Sequence, residues 1–304
     1  MLFLSLVNTK KLYITISLFI ATTCLFLLLD HASAATAPGG IVETEEYSSG
    51  IELYGANKNE EALRMFMKGV DKNDPLSQTW AGMFYIQGIG VTQNIDKGMS
   101  LLQKGADGGS TRGMAELAMI LIYGGYDIKP APQKGIEYLD KAVSLESPTA
   151  FFYRGIVYED GAAGEKSIEK AISMYEKAES AGNLQAKARK LLLQNKAQES
   201  TALIRDVRAN QLRFDKEYKE KQLVAVGFVG EIKQDPKQGY RLVLYGERSP
   251  AGPFDYIECY FSASQEDTLL ELNRDDLVII QGTYRGKQEF QVGAICLYEC
   301  STLM

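Results

Sequence analysis

Cys259, Cys296 and Cys300 place three thiols near the end of the chain, where they could pair, hold a metal or attack a substrate. A metal site is not expected, because no Cys-x-x-Cys spacing occurs and the only histidine is His31. His31 lies within residues 1–34, a stretch that reads as a cleavable secretory signal peptide. Lys10 and Lys11 come first, then an apolar run from Leu12 to Leu29, then Ala32-Ser33-Ala34. Cleavage is expected near Ala34 or Ala35, which exports the mature chain, to the periplasm if the source is bacterial. A retained anchor is the alternative, since the apolar run approaches the length of a membrane span. After cleavage no histidine remains. That removes the usual general base near neutral pH, the commonest zinc ligand and every Ser-His or Cys-His dyad. Carboxylate catalysis and a Ser-Lys pair have no recognisable motif here. The chain is therefore expected to be no enzyme, with no cofactor, no metal and no membrane span once the signal is removed.

A second set of residues could recognise a partner. Trp80, Met83 and Gln87 stand at the same relative places as Glu116, Met119 and Tyr123, and as Tyr153, Ile156 and Asp160. Aromatic and thioether side chains beside isolated acids suit a protein or peptide ligand. The alternative is that Met83, Met119 and Ile156 form core between successive repeats.

These places recur because the chain repeats. Gly82 becomes Ala118 after 36 residues and Gly155 after a further 37, and Gly88 becomes Gly124 and Gly161 in the same way. Lys97, Lys134 and Lys170 align, as do Lys104, Lys141 and Lys177. A period of this length marks a solenoid of helix pairs that bury their apolar faces only by stacking. A small residue in the first helix lets the second approach, Tyr85, Leu121 or Tyr158 fills the gap, and the next glycine ends the helix. The pattern from Ala81-Gly82 through Tyr85, Gly88 and Gly90 to Asp96-Lys97-Gly98 closely resembles the Sel1-like repeat, a relative of the tetratricopeptide repeat. The units fall at about 45–75, 77–110, 111–147 and 148–183, after a flexible start at 35–44 and before a capping helix at 184–198. The array thus occupies 45–200.

A charged linking helix at 201–221 leads into alternating segments from 222 to 304, the mark of strands. Strands are expected from Leu223, over Tyr240–Tyr245, over Tyr256–Phe261, from Leu277 and from Phe290, with a helix over Ser264–Asn273. The fold class is therefore α + β in two domains, a helical solenoid followed by a small five-stranded barrel of the OB type. Ile257-x-Cys259-x-Phe261, Asp276-x-Val278, Gly282 and Leu297-x-x-Cys300 resemble the tRNA-anticodon-binding-like OB domains over roughly 205–300. Glu220 and Asp275-Asp276 depart from that pattern. The resemblance sets the third and fifth strands side by side, so Cys259 could bridge to Cys300, the counterpart of the family's terminal cysteine, or to Cys296. Buried reduced thiols are the alternative.

Charge argues against nucleic acid as the ligand. The chain carries a net −6, and residues 221–304 hold eight Lys/Arg against twelve Asp/Glu. Neutralising phosphates supplies most non-specific affinity for nucleic acid, and this module lacks the charge for it. Tyr256 and Tyr260 could stack bases or simply pack across strands. The expected function is an exported, non-catalytic scaffold that binds a partner protein on its array. It would serve envelope machinery or neutralise a secreted toxin. The alternative is a glycan ligand, or support of a cell-wall enzyme, through the barrel.

Overall fold

The computed structural model describes residues 36–37, 40–246, 256–286 and 295–303. The expected signal segment with its cleavage site, and the start of the expected last strand at Phe290, lie outside the described residues. The chain divides into two compact units, one ending at Ala181 and one beginning at Gly182.

The first unit opens where a flexible start was expected. There β1 (Thr36–Ala37) and β2 (Ile41–Val42) pair antiparallel, Thr36 opposite Val42 and Ala37 opposite Ile41. Helices α1 (Glu45–Gly55), α2 (Asn59–Asp71), α3 (Pro75–Gln87) and α4 (Ile95–Asp107) follow. Then come α5 (Thr111–Tyr123), α6 (Pro132–Ser144), α7 (Pro148–Asp160) and α8 (Ile168–Ser180). Local chemistry sets their starts. Asp74 accepts from the N–H groups of Leu76 and Ser77, Ser110 from Gly113 and Ser147 from Ala150. Each such cap contributes about 1 kcal/mol. Pro75 and Pro148 occupy first helical positions, where a missing N–H costs nothing.

The two helices of a pair differ in kind. α4 buries Gly98, Leu101, Leu102, Gly105 and Ala106, the single stripe of an amphipathic helix with one wet side. α3 and α5 are buried nearly all round, since neighbouring helices cover them on several sides. The approach of α3 to α4 depends on glycine: a Cβ on Gly82 would lie 2.7 Å from the Leu102 backbone nitrogen and 2.9 Å from the Gly98 carbonyl oxygen. No helix among the described residues is long and apolar enough to cross a membrane.

The second unit begins with α9 (Leu184–Leu193), β3 (Gln198–Glu199), α10 (Ser200–Ala209) and α11 (Gln211–Tyr218). Five strands follow: β4 (Lys221–Asp235), β5 (Gly239–Tyr245), β6 (Tyr256–Phe261), β7 (Leu277–Tyr284) and β8 (Ile295–Thr302). Their order is β4-β5-β6-β8-β7, and β7 pairs back onto β4, closing the expected barrel. β6 and β8 run parallel; the other neighbours are antiparallel. Leu242, Leu244, Ile257, Phe261, Val278, Ile280 and Leu297 fill the interior, joined by Leu203, Ile204 and Val207 from α10 and Phe214 from α11.

Two segments differ from expectation. The helix expected over Ser264–Asn273 is a 3-10 turn at Ala263–Gln265 followed by the short α12 (Glu266–Leu270), with no side-chain cap on either. The segment expected to cap the array instead lays Leu184, Ala188, Leu191, Leu192 and Ala197 on Val224, Val226, Leu277 and Ile279, the outer side of β4 and β7. Both strands are apolar on both faces there, so the outer face also needs cover.

Candidate functional site

The nine matched residues of α3, α5 and α7 were read as a candidate partner face, with core between repeats as the alternative for Met83, Met119 and Ile156. Six of them are buried: Trp80, Met83, Glu116, Met119, Tyr153 and Ile156. Trp80, 3% exposed, stacks on Phe66 with ring centroids 5.7 Å apart and meets Tyr54 edge-on at 5.5 Å. The Arg112 guanidinium lies 4.6 Å from the Trp80 ring centre and 3.7 Å from Glu116. The Tyr153 hydroxyl donates to Glu116 Oε1 at 3.1 Å. Only the far end of each line reaches water, with Gln87 and Tyr123 half-buried and Asp160 exposed. There the Tyr123 hydroxyl donates to Asp160 Oδ2 at 2.5 Å.

Both polar pairs join equivalent places of successive repeats, 37 residues apart. A ladder of this kind fixes the stacking register, because either carboxylate without its tyrosine would lose a charge-assisted bond. So most of the line is cement between repeats, and the exposed remainder is Gln87, Tyr123 and Asp160. Arg112 was not among the expected residues. Its signal was in the sequence, since Arg112 precedes Glu116 by one helical turn.

The described cysteines are free and buried, so the expected Cys259–Cys300 bridge is not closed. Register separates the three thiols. Cys296 stands opposite Glu258 on the barrel's outer side and donates to Glu258 Oε2 at 3.2 Å. Cys259 stands opposite Leu297 and faces the core. Strict alternation would turn Cys300 outward with Cys296. An extra residue in β8 opposite Gln281–Thr283, with Glu299 at φ 53°, turns it inward instead. Gly282 leaves room there, for a Cβ would lie 2.6 Å from Cys300 Sγ. Burial pushes the Cys259 thiol well above its ordinary range, helped by a hydrogen bond with Cys300. Burial, then the negative charge of Glu258, raises Cys296 likewise. None of this favours a thiolate nucleophile. Partial unfolding with oxidised glutathione, which is reduced to two thiols as a protein disulfide forms, is expected to join Cys259 to Cys300. Cys296 should remain alkylatable; a mapped Cys296 cross-link would contradict the register.

Residues 75–110, 111–147 and 152–183 match the family model of the Sel1 repeat. The array carries three Sel1 repeats. No curated protein matches the chain. Solved structures do. A protective antigen present in uropathogenic Escherichia coli strains, with an SLR fold, is 22% identical at a TM-score of 0.43, over 58% of this chain and 38% of the antigen. A Sel1 repeat protein from Oxalobacter formigenes is 25% identical at a TM-score of 0.42, over 49% of this chain and 59% of that one. An immunity protein from Pseudomonas aeruginosa is 21% identical at a TM-score of 0.37, over 56% of this chain and 61% of that one. The chain spans less than two thirds of each.

The lysines aligned across the repeats are exposed and lie near tyrosine rings. Lys97 Nζ donates to the Tyr85 hydroxyl at 2.7 Å and lies 4.0 Å from the ring centre. Lys170, its counterpart, lies 5.5 Å from Tyr158. The middle repeat has Leu121 in place of the tyrosine, and Lys134 lies 5.9 Å from Tyr138 instead.

Glu116 titrates abnormally. Burial raises its carboxyl above the ordinary 4.5, opposed by attraction to Arg112 and the bond from Tyr153. The folded chain therefore holds this proton to higher pH than the unfolded chain. Stability from this group is greatest below the unfolded value and declines as pH rises toward the folded one. Glu116→Gln, which keeps an acceptor for Tyr153 but cannot ionise, is expected to flatten that decline in thermal melts taken from pH 4.5 upward. An unchanged pH slope would clear Glu116 of the effect.

Proposed function

We propose that this chain is an exported, non-catalytic scaffold whose Sel1 repeats bind a partner protein. The observation that carries the reading is the stacked array itself, with its first-helix line ending in the half-buried Gln87 and Tyr123 and the exposed Asp160. Tyr123 supplies an aromatic body with a polar tip, a residue type enriched at protein interfaces, and Asp160 orients it by accepting from its hydroxyl. Export rests on the signal-like residues 1–34, and the absence of histidine beyond His31 argues against the commonest hydrolytic constellations. Two roles fit such a scaffold, regulation of envelope machinery and neutralisation of a secreted toxin.

The test is cross-linking of the tagged full chain in its native envelope. Wild type is compared with Gln87→Ala/Tyr123→Ala/Asp160→Ala, after melting curves establish that the variant stays folded. Trp80 and Tyr153 are left alone because their loss would damage the core. A single stoichiometric protein lost in the variant supports the reading. Equal recovery from both chains removes the array's exposed end from consideration.

A further inference from the structure

Charge is unevenly spread along the chain. Residues 182–221 hold ten Lys/Arg against five Asp/Glu, while 35–181 hold fourteen against twenty-one and 222–304 seven against twelve. Of these three stretches only the helical one is basic. Its apolar side is already used, since Leu203, Ile204 and Val207 of α10 and Phe214 of α11 join the barrel core. The side left in water is cationic. Arg205 and Arg208 stand one turn apart on α10, Arg213 and Lys216 one turn apart on α11, and Lys219 and Lys221 follow, all six exposed. The exposed acids of 200–221 are Glu217 and Glu220. Asp215 turns inward, its Oδ1 accepting from Gln211 Nε2 at 2.8 Å and from the Tyr284 hydroxyl at 2.5 Å.

An apolar tip stands among these cations. Leu212, 83% exposed, is the barest large apolar side chain among the described residues. It sits at the corner where Asn210, extended at φ −163°, ends α10 and caps α11 by accepting from the Arg213 N–H. Arg213 is its neighbour and Lys216 follows one turn later. A side chain that projects this far from a corner needs a matching pit in a rigid partner. A bilayer interface yields to the protruding shape and offers apolar depth and phosphate charge at one place.

We propose that the α10–α11 corner docks on an anionic lipid surface, Leu212 entering the acyl boundary and the cations lying among the phosphates. Each cation held near such a surface strengthens binding about fivefold. Acids elsewhere on the chain count for less, because exposed charges farther than a Debye length, about 8 Å at physiological salt, are largely screened. The proposal does not depend on the array binding a partner.

The test uses the full chain carrying Leu212→Trp, with vesicles whose acyl chains carry bromine, a quencher of nearby indole. Trp80, the native tryptophan, is 3% exposed and gives a constant background. The signal therefore reports this corner and not any insertion of residues 1–34. Strong quenching is expected with equal parts phosphatidylglycerol and phosphatidylcholine, and little with phosphatidylcholine alone or at high salt. Arg213→Gln/Lys216→Gln should weaken docking roughly thirtyfold, two charges at about fivefold each. Arg205→Gln/Arg208→Gln, on the other helix, should weaken it as well, so that misfolding of one variant, seen in its melting curve, leaves the other to decide. Equal quenching in neutral and anionic vesicles overturns the proposal, and so does unchanged quenching in both variants. A larger shift of the new indole's emission with polyglutamate or an oligothymidylate than with anionic vesicles also overturns it, and assigns the corner to an acidic macromolecule.

Discussion

Gly82→Ala is expected to cost about 3 kcal/mol or more, the upper range for forcing volume into a filled core, and to lower the melting temperature of the full chain by roughly 10 °C. The added methyl would meet backbone on two sides, the Leu102 nitrogen at 2.7 Å and the Gly98 carbonyl at 2.9 Å. No rotamer relieves a Cβ, so α3 and α4 would have to separate, and Leu101, Leu102 and Phe84 would lose their packing together. Gly88→Ala is the control. Its cost is the left-handed backbone at φ 73°, and its nearest neighbours stand at an ordinary 3.4 Å. That cost is about 1 kcal/mol. The equivalent of Gly82 in the next repeat is Ala118, with Gly135 across from it on α6. If α3 and α4 could slide to the spacing used there, Gly82→Ala would melt like wild type, and the argument from close approach would fail.

The same comparison shows what a sequence can and cannot display. The small residues, the glycine stops and the aligned lysines all sit at the repeat period, so the helix pairs were legible from spacing alone. The aligned Trp80, Glu116 and Tyr153 were also legible as one line. Whether that line faces a partner or the next repeat depends on helix spacing, which no local pattern encodes. Glu116 and Asp160 looked like isolated surface acids, and their tyrosine partners lie 37 residues away. In the barrel, alternation located the strands, but alternation alone would set Cys300 on the side of Cys296. The bulge that turns it inward is carried by Glu299 at φ 53°, a residue type with no preference for that conformation. The cover on β4 and β7 had a signal, because Leu223-Val-Ala-Val and Leu277-Val-Ile-Ile are apolar at every position rather than at alternate ones. Such runs demand burial on both faces.

From that demand, the barrel drawn from alternation alone, residues 222–304, is expected to be too short to fold. Without the segment before it, the barrel loses Leu203, Ile204, Val207 and Phe214 from its interior. It also loses Leu184, Ala188, Leu191, Leu192 and Ala197 from the outer side of β4 and β7. Burying one large aliphatic or aromatic side chain contributes about 1.5–3 kcal/mol. The four interior residues alone therefore account for roughly 6–12 kcal/mol, comparable to the whole stability of a typical domain. Polar ties go with them. The Ser200 hydroxyl donates to the Val226 carbonyl at 3.0 Å, Lys187 donates to the Leu303 carbonyl, and β3 pairs parallel with β4. Residues 182–304 are expected to give a cooperative melt and dispersed amide resonances, and 222–304 collapsed or aggregated material. An intermediate piece, 200–304, restores the interior residues but leaves Val224, Val226, Leu277 and Ile279 bare on the outside. It should fold with reduced stability and bind an apolar dye. If 222–304 folds as well as 182–304, the helices α9 to α11 are decoration on a self-sufficient barrel, and the outer face of β4 and β7 tolerates water despite its composition.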